Sequence, residues 1–312
     1  MDNYKLCCLS MKFLAKIDHH FWVYLLGAVS CGFLFPRQLQ PFENIVIYIM
    51  MAILFLVFLK ADVADVFKQI KKPGILVYIL SLTMIAIPVV IFYLFKPVDP
   101  DLRMALVLLA ALPAGVPAAV FTDIMDGHTS LTLIIIFFST LIAPFTIPFL
   151  FWILYHATFS VDFVSLFKNL LMILIIPLVA SQIFRAFFEP FVEKSKFYIN
   201  TLVLACFSFT IMVIMSLESE YVLSHIRESL YIIGMLYGAF IMIQLMSYFG
   251  VYWLKKGDKV AVSNSKVMMN NILGIILALA FFEEKIAVIV ILATIPFNTM
   301  ISVFHWYKRY LP

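Results

Sequence analysis

The chain has 312 residues, of which 64% are hydrophobic and 13% are Asp, Glu, Lys or Arg, roughly half the charge of an ordinary soluble domain. That charge cannot coat a globule holding about 200 apolar residues, and a spanning helix takes about 20 of them, so the composition predicts about ten membrane spans. It excludes an appended soluble domain, a nucleic-acid module and a water-soluble enzyme.

Apolar runs between charged or Pro/Gly punctuation fall at Ile17–Phe35, Ile45–Leu59, Ile75–Phe95, Leu102–Phe121, Leu131–Tyr155, Leu166–Phe184, Phe197–Leu217, Leu230–Leu254, Val260–Phe282 and Ile286–Tyr307. The first twenty residues lack a continuous apolar core before a small-residue cleavage site, so no signal peptide is expected. Cys7, Cys8, Cys31 and Cys206 have neither metal-ligand spacing nor a disulfide pattern and read as reduced; Cys7-Cys8 is an acylation candidate in a eukaryotic host.

Cytoplasmic loops collect Lys and Arg. With the amino terminus inside, fifteen of the 22 basic residues fall on the inner side, among them Lys5, Lys71, Lys72, Lys194, Lys255 and Arg309. Six fall outside: Arg37, Lys96, Arg103, Lys168, Arg227 and Lys285. The asymmetry predicts ten spans in a cell (inner) membrane with both termini cytoplasmic. Ten spans divide into two five-span halves, residues 17–155 and 164–308, and an odd-numbered half inserts its second copy upside down. Such inverted repeats are the common plan of secondary transporters, whose sites lie between broken helices near mid-membrane. Residues 1–312 are therefore read as one all-α membrane domain of two inverted repeats, with spans four and nine as the broken, crossing pair.

Span four places Pro113, Gly115 and Pro117 within five residues of an apolar stretch. Each Pro removes a donor and clashes with the preceding turn, and a backbone break is tolerated at this depth only against protein or a water-filled cavity. A proline kink in a packed helix is the simpler reading of this segment taken alone. Span nine gathers Asn264, Lys266, Asn270 and Asn271 in one half and is wholly apolar from Ile275 to Phe282. Lys266 lies seven residues past Lys259, about 10 Å deep at 1.5 Å per residue. A lysine there either faces the bundle interior, where it costs about 2.5–3.5 kcal/mol to insert, or snorkels to the surface.

These segments resemble the bile acid:sodium symporter family over nearly the whole chain. Pro113 and Gly115, then Gly127, Ser139-Thr140 and Ala143-Pro144, look like its Pro-Gly crossover helix, Gly-Asp turn and following Ser-Thr…Ala-Pro helix. Lys71-Lys72-Pro73 and Pro88 are similar to its basic loop and third span, Met269-Asn270-Asn271 to its Met-Gln-Asn stretch, and Phe281-Phe282, Pro296 and His305 to its last helix. The resemblance implies a core of spans three to five and eight to ten, a panel of one, two, six and seven, alternating access by rocking of one on the other, organic anions as substrates and sodium as the usual coupling ion.

The sodium ligands depart from that pattern. The family's buried Glu in span nine falls on Lys266, its Ser-Asn pair on Ala118-Ala119, its third-span Gln on Thr83, and its fifth-span Ser and Thr on Thr132 and Ile136. The expectation is that the Lys266 ammonium replaces the coupling ion beside a site formed with Asn264, Asn270, Asn271, Thr83 and Thr132. Proton-coupled and uncoupled transport both fit that expectation, and sodium coupling through relocated ligands is the alternative. The expected partners are a small organic anion, the lipid bilayer and, in the proton-coupled version, a proton; no nucleic acid, metal or cofactor is expected.

Two other classes compete. Neither H-E-x-x-H nor G-x-S-x-G occurs, and the histidines sit at span ends or in loops, which speaks against an enzyme. A channel or structural protein would share the hydrophobicity but leaves the matched breaks unexplained. Trp22, Trp253 and Trp306 at span ends suit interfacial anchoring, and Gly234 and Gly238 have the small-xxx-small spacing of close helix contacts.

Overall fold

A computed structural model describes residues 21–60, 73–155, 163–217 and 219–308, and the regular elements among them are helices, apart from one isolated bridge between Ala114 and Met269. Helix α1 (Phe21–Leu34) passes through short turns at Pro36–Leu39 and Gln40–Ile45 into α2 (Val46–Lys60). Then come α3 (Pro73–Leu94), α4 (Pro100–Ala111), α5 (Pro117–Ile124), α6 (Thr129–Tyr155) and α7 (Phe163–Leu217). The chain ends in α8 (Ile226–Phe249), α9 (Lys256–Val267), α10 (Asn271–Phe281), α11 (Glu284–Leu292) and α12 (Thr294–Lys308). Cys7-Cys8, Lys71-Lys72 and Arg309 lie outside the described residues. Cys31 and Cys206 are free thiols.

Among the described residues, five stretches are long and apolar enough to cross a membrane: Pro36–Leu59, Pro73–Leu94, Thr129–Tyr155, Val164–Ser195 and Ile226–Phe249. Three of the other apolar segments read from the sequence are pairs of shorter helices, and the reason is local. Leu102–Phe121 divides into α4 and α5 at Pro113 and Pro117, and Val260–Phe282 divides into α9 and α10 at Met268–Asn270. The last segment divides at Ala293, three residues before Pro296.

Prolines in α3 and α6 are absorbed without a break. Pro144 and Pro148 lie inside the continuous α6. In α3, Pro88 can neither donate nor tolerate the carbonyl one turn earlier, and the helix widens just ahead of it into a π turn at Leu82–Ala86. Segments six and seven are two helices that follow one another across a kink, with no long loop between them: within α7 the helical path is broken at Phe188 (φ −127°, ψ 31°), two positions before Pro190. Arg185 and Gln182 of α7 reach across to donate to the Leu59 and Phe58 carbonyls of α2 (3.0 and 2.8 Å).

The packing falls into two groups. α7 lies mainly against α1 and α2; α3 with α4, α4 with α11, α8 with α9, α5 with α9, and α10 with α11 form the other. α6 touches both. Gly234 and Gly238 are not close-contact positions within the chain, because a methyl group added at either would meet nothing within 4 Å.

At one end of the second group, Lys285 of α11 pairs with Asp99 and Asp101 at the start of α4, both at 3.2 Å. Asp99 also caps α4, accepting from the Asp101 and Leu102 amides. Partial burial alone would raise the Asp99 carboxyl, but the Leu102 amide and Lys285 together hold it below its ordinary range. Burial would likewise lower Lys285, and the two carboxylates outweigh it and raise the ammonium instead.

Candidate functional site

The two breaks meet. α4 stops at Ala111 because Leu112 turns extended (φ −62°, ψ 145°) ahead of Pro113, as residues preceding proline do. α5 restarts with Pro117 in its first turn, where the missing N–H costs nothing. In the second half the chain leaves helix at Met268 and restarts at Asn271, with the Asn270 side chain accepting from the Leu273 amide as the cap of α10 (3.2 Å). The freed backbone groups of one break then satisfy those of the other. The Gly115 amide donates to the Met268 carbonyl (2.7 Å) and the Asn270 amide to the Pro113 carbonyl (2.8 Å), two antiparallel rungs around Ala114 and Met269. The Ala114 amide donates to Ser139 of α6 at 3.1 Å.

Gly115 is glycine because of this approach: a Cβ there would lie 2.6 Å from the Met269 carbonyl oxygen, a rigid backbone atom. Gly115→Ala must therefore open the joint. Overpacking of this kind costs about 1–3 kcal/mol, and the expected result is a lower melting temperature in detergent together with faster amide exchange at Asn270. Gly274 is similarly crowded by Leu112, though there the obstacle is the end of a side chain.

Lys266, in the last turn of α9, is 2% exposed. Its ammonium donates to the carbonyl of Ala110 and, at 3.4 Å, to that of Leu112. These belong to the C-terminal end of α4, where the last carbonyls have no partner within the helix. Two helix C-termini, those of α4 and α9, thus converge on one cation, and each carries roughly half a negative charge. Among the described residues, no carboxylate pairs with Lys266; backbone dipoles compensate it.

The other expected residues separate into two clusters and one outlier. Asn264 and Thr132 come together on Thr122 of α5: the Thr132 hydroxyl bonds that of Thr122 at 3.1 Å, and the Asn264 amide donates to Thr122 at 3.5 Å and lies 3.7 Å from the Met125 sulfur. Asn271 instead reaches the other way, donating to the Thr294 hydroxyl at 2.9 Å, while Asn298 donates to the Thr294 carbonyl at 2.6 Å. The amide oxygens of Asn271 and Asn298 are both buried without a hydrogen-bond partner. Thr83 joins neither cluster; its hydroxyl donates to the Ile79 carbonyl of its own helix at 2.7 Å.

Thr122, Ser139, Thr294 and Asn298 were not foreseen as site residues. The signal for Asn298 was present, as a lone amide in an apolar helix four residues after Thr294. Nor was the tie at the end of α5 foreseen. There the chain turns through Asp126 in the left-handed region (φ 54°), and His128 bonds Asp258 of α9 at 2.7 Å while its amide donates to the Gly257 carbonyl at 3.0 Å. It clamps the ends of the two crossing pairs together on the side opposite the Lys285 clasp.

A sequence model of the Sodium Bile acid symporter family matches residues 46–225, more than half of the chain. The chain belongs to this family. A protein of Bacillus subtilis (strain 168) named as an uncharacterized sodium-dependent transporter, YocS, is 24% identical over 191 residues, which is 59% of this chain. The chain spans about 60% of the length of that relative. Sodium bile acid symporter family membership and the long apolar helices make this an all-helical, multi-pass membrane protein of a transporter family. The family match ends before α8, so α9 and Lys266 lie beyond it.

Proposed function

We propose that the chain is a secondary transporter that moves a small organic anion by alternating access and does so without sodium, the Lys266 ammonium standing in for the coupling ion. The observation that carries the proposal is the ammonium on the Ala110 and Leu112 carbonyls. In this reading the ten apolar segments are ten spans in two inverted halves, 17–155 and 164–308, with both termini cytoplasmic, and the group built on α7, α1 and α2 rocks against the rest.

The electrostatics favour an anion. At the crossing, α4 and α9 present carbonyl ends and α5 and α10 present amide ends. The helix ends contribute about half a charge each and nearly cancel, so the fixed ammonium leaves the centre positive. A sodium ion brought within 4 Å of that ammonium would be repelled by about 4 kcal/mol at an effective dielectric of about 20, close to a thousandfold in affinity. The free amide oxygens of Asn271 and Asn298 add acceptors for a hydroxyl or N–H group carried by the same substrate. The competing reading, sodium coupling through relocated oxygens, draws on the name of the Bacillus relative and on the Thr122, Thr132 and Asn264 cluster.

Uptake of labelled cholate and of smaller carboxylates into proteoliposomes, with sodium replaced by choline and with pH varied separately, tests the proposal. The expected rates are equal in sodium and in choline. A sodium requirement overturns the surrogate role of Lys266 while leaving transport intact. Stimulation by an inward proton gradient that is lost in Lys266→Arg would select the proton-coupled form.

A further inference from the structure

The turn that joins α8 to α9 carries an aromatic and basic surface that the crossing site does not use. Tyr78 of α3 donates to the Gly250 carbonyl at 2.9 Å, which pins the two helices together, and its ring meets Trp253 edge-on at 5.0 Å. Tyr252 packs against the same indole at 5.1 Å, nearly perpendicular to it. The turn itself is fixed by the Tyr252 amide on the Phe249 carbonyl (3.1 Å) and the Leu254 amide on that of Val251 (2.9 Å). Yet all three rings face outward: Tyr78 is 42% exposed, Trp253 50% and Tyr252 71%. Lys255 and Lys256, both exposed, follow at once, and Lys71-Lys72 precede α3 in the sequence.

A three-ring wall at the end of two apolar helices, with two exposed lysines next in the chain, has the chemistry of the membrane interface. Tyr and Trp settle at headgroup depth because they are apolar bodies with polar tips, and lysines beside a spanning helix attract anionic headgroups. We propose that Tyr78, Tyr252, Trp253, Lys255 and Lys256 bind one anionic phospholipid, its phosphate on the two lysines and its glycerol and first acyl carbons against the rings. Charge complementarity selects an anionic lipid over a zwitterionic one, whose own cation would meet the lysines. The leaflet follows from the orientation proposed above, by which this end is cytoplasmic; the binding itself does not depend on that orientation or on transport.

The test uses tryptophan emission from the purified full chain in detergent, titrated with phosphatidylglycerol or phosphatidylcholine brominated on the acyl chains. Phosphatidylglycerol is expected to reach half-quenching at a several-fold lower mole fraction. Trp253→Phe should remove that component of the quenching, leaving the other three tryptophans. The double variant K255Q/K256Q should weaken phosphatidylglycerol by at least about fivefold, the effect of one lysine near an anionic surface, and leave the phosphatidylcholine curve in place. High salt should shrink the difference. Tyr252→Leu, which keeps both lysines, should weaken both lipids by removing one wall.

Equal quenching by the two lipids overturns the proposal, as does a preference that survives in K255Q/K256Q. Competition by inorganic phosphate at millimolar concentration would show a free-anion site and overturn it too. Because no substrate is used, none of these results bears on the transport reading.

Discussion

Lys266→Met should lower anion uptake by at least tenfold and cost on the order of 5 °C in melting temperature. Methionine keeps most of the volume but leaves the Ala110 and Leu112 carbonyls without their donor. A buried acceptor stripped of its partner costs about 1–3 kcal/mol, and for a chain of this size each kcal/mol moves the midpoint by roughly 2 °C. The loss of uptake has a separate origin, since removing the positive charge that Lys266 places between four helix ends returns the centre to neutrality. Lys266→Arg separates the two effects: it keeps the charge, so uptake should fall less than stability, which suffers from a wider, planar head. Unchanged uptake and an unchanged midpoint in Lys266→Met would remove the residue from any central role.

The triple variant Lys266→Glu, Ala118→Ser, Ala119→Asn should acquire a sodium dependence that the proposed function denies to the parent chain. In the parent, the melting temperature is expected to be the same in sodium chloride and choline chloride. Glutamate alone faces the Ala110 and Leu112 carbonyls and should only destabilise. With Ser and Asn supplied at the start of α5, the site regains the oxygens that the family resemblance places there, and sodium can bridge them. A ligand at a hundred times its dissociation constant stabilises by about 2.7 kcal/mol, or roughly 5 °C here. A triple variant that melts identically in both salts would mean that the ion site was not at the crossing.

Much of this was legible from the order of residue types. Pro113, Gly115 and Pro117 announce a broken helix because each acts on its own backbone, and Lys266 announces itself by depth. What the sequence does not disclose is the partner of that lysine, since a main-chain carbonyl carries no residue signature. Asn270 and Asn271 show the same limit. They are neighbours of one type, yet the first caps α10 and the second crosses to Thr294, and only the exact start of the helix decides which does which. Thr83 was expected at the site on the strength of register alone; the π turn ahead of Pro88 accompanies a hydroxyl turned back onto its own helix. Between segments six and seven the kink at Phe188 lies beside Pro190, while Arg185, Glu193 and Lys194 are good helix formers and keep the chain helical on either side of it.

The two rungs between the breaks are made of peptide groups. They run from the Gly115 and Asn270 amides to the Met268 and Pro113 carbonyls, with the Ser139 hydroxyl and the Lys266 ammonium bonded to the backbone beside them. Such a joint is indifferent to the identity of almost every residue in it, with Gly115 the exception because a side chain there would occupy the space of its partner. Substitution of side chains around the crossing therefore leaves the donors and acceptors of these two rungs in place, at whatever cost the lost side-chain bonds carry. On the proposed reading, that separation of scaffold from chemistry would let substitution alone reset the ion preference, which is what the triple variant tests.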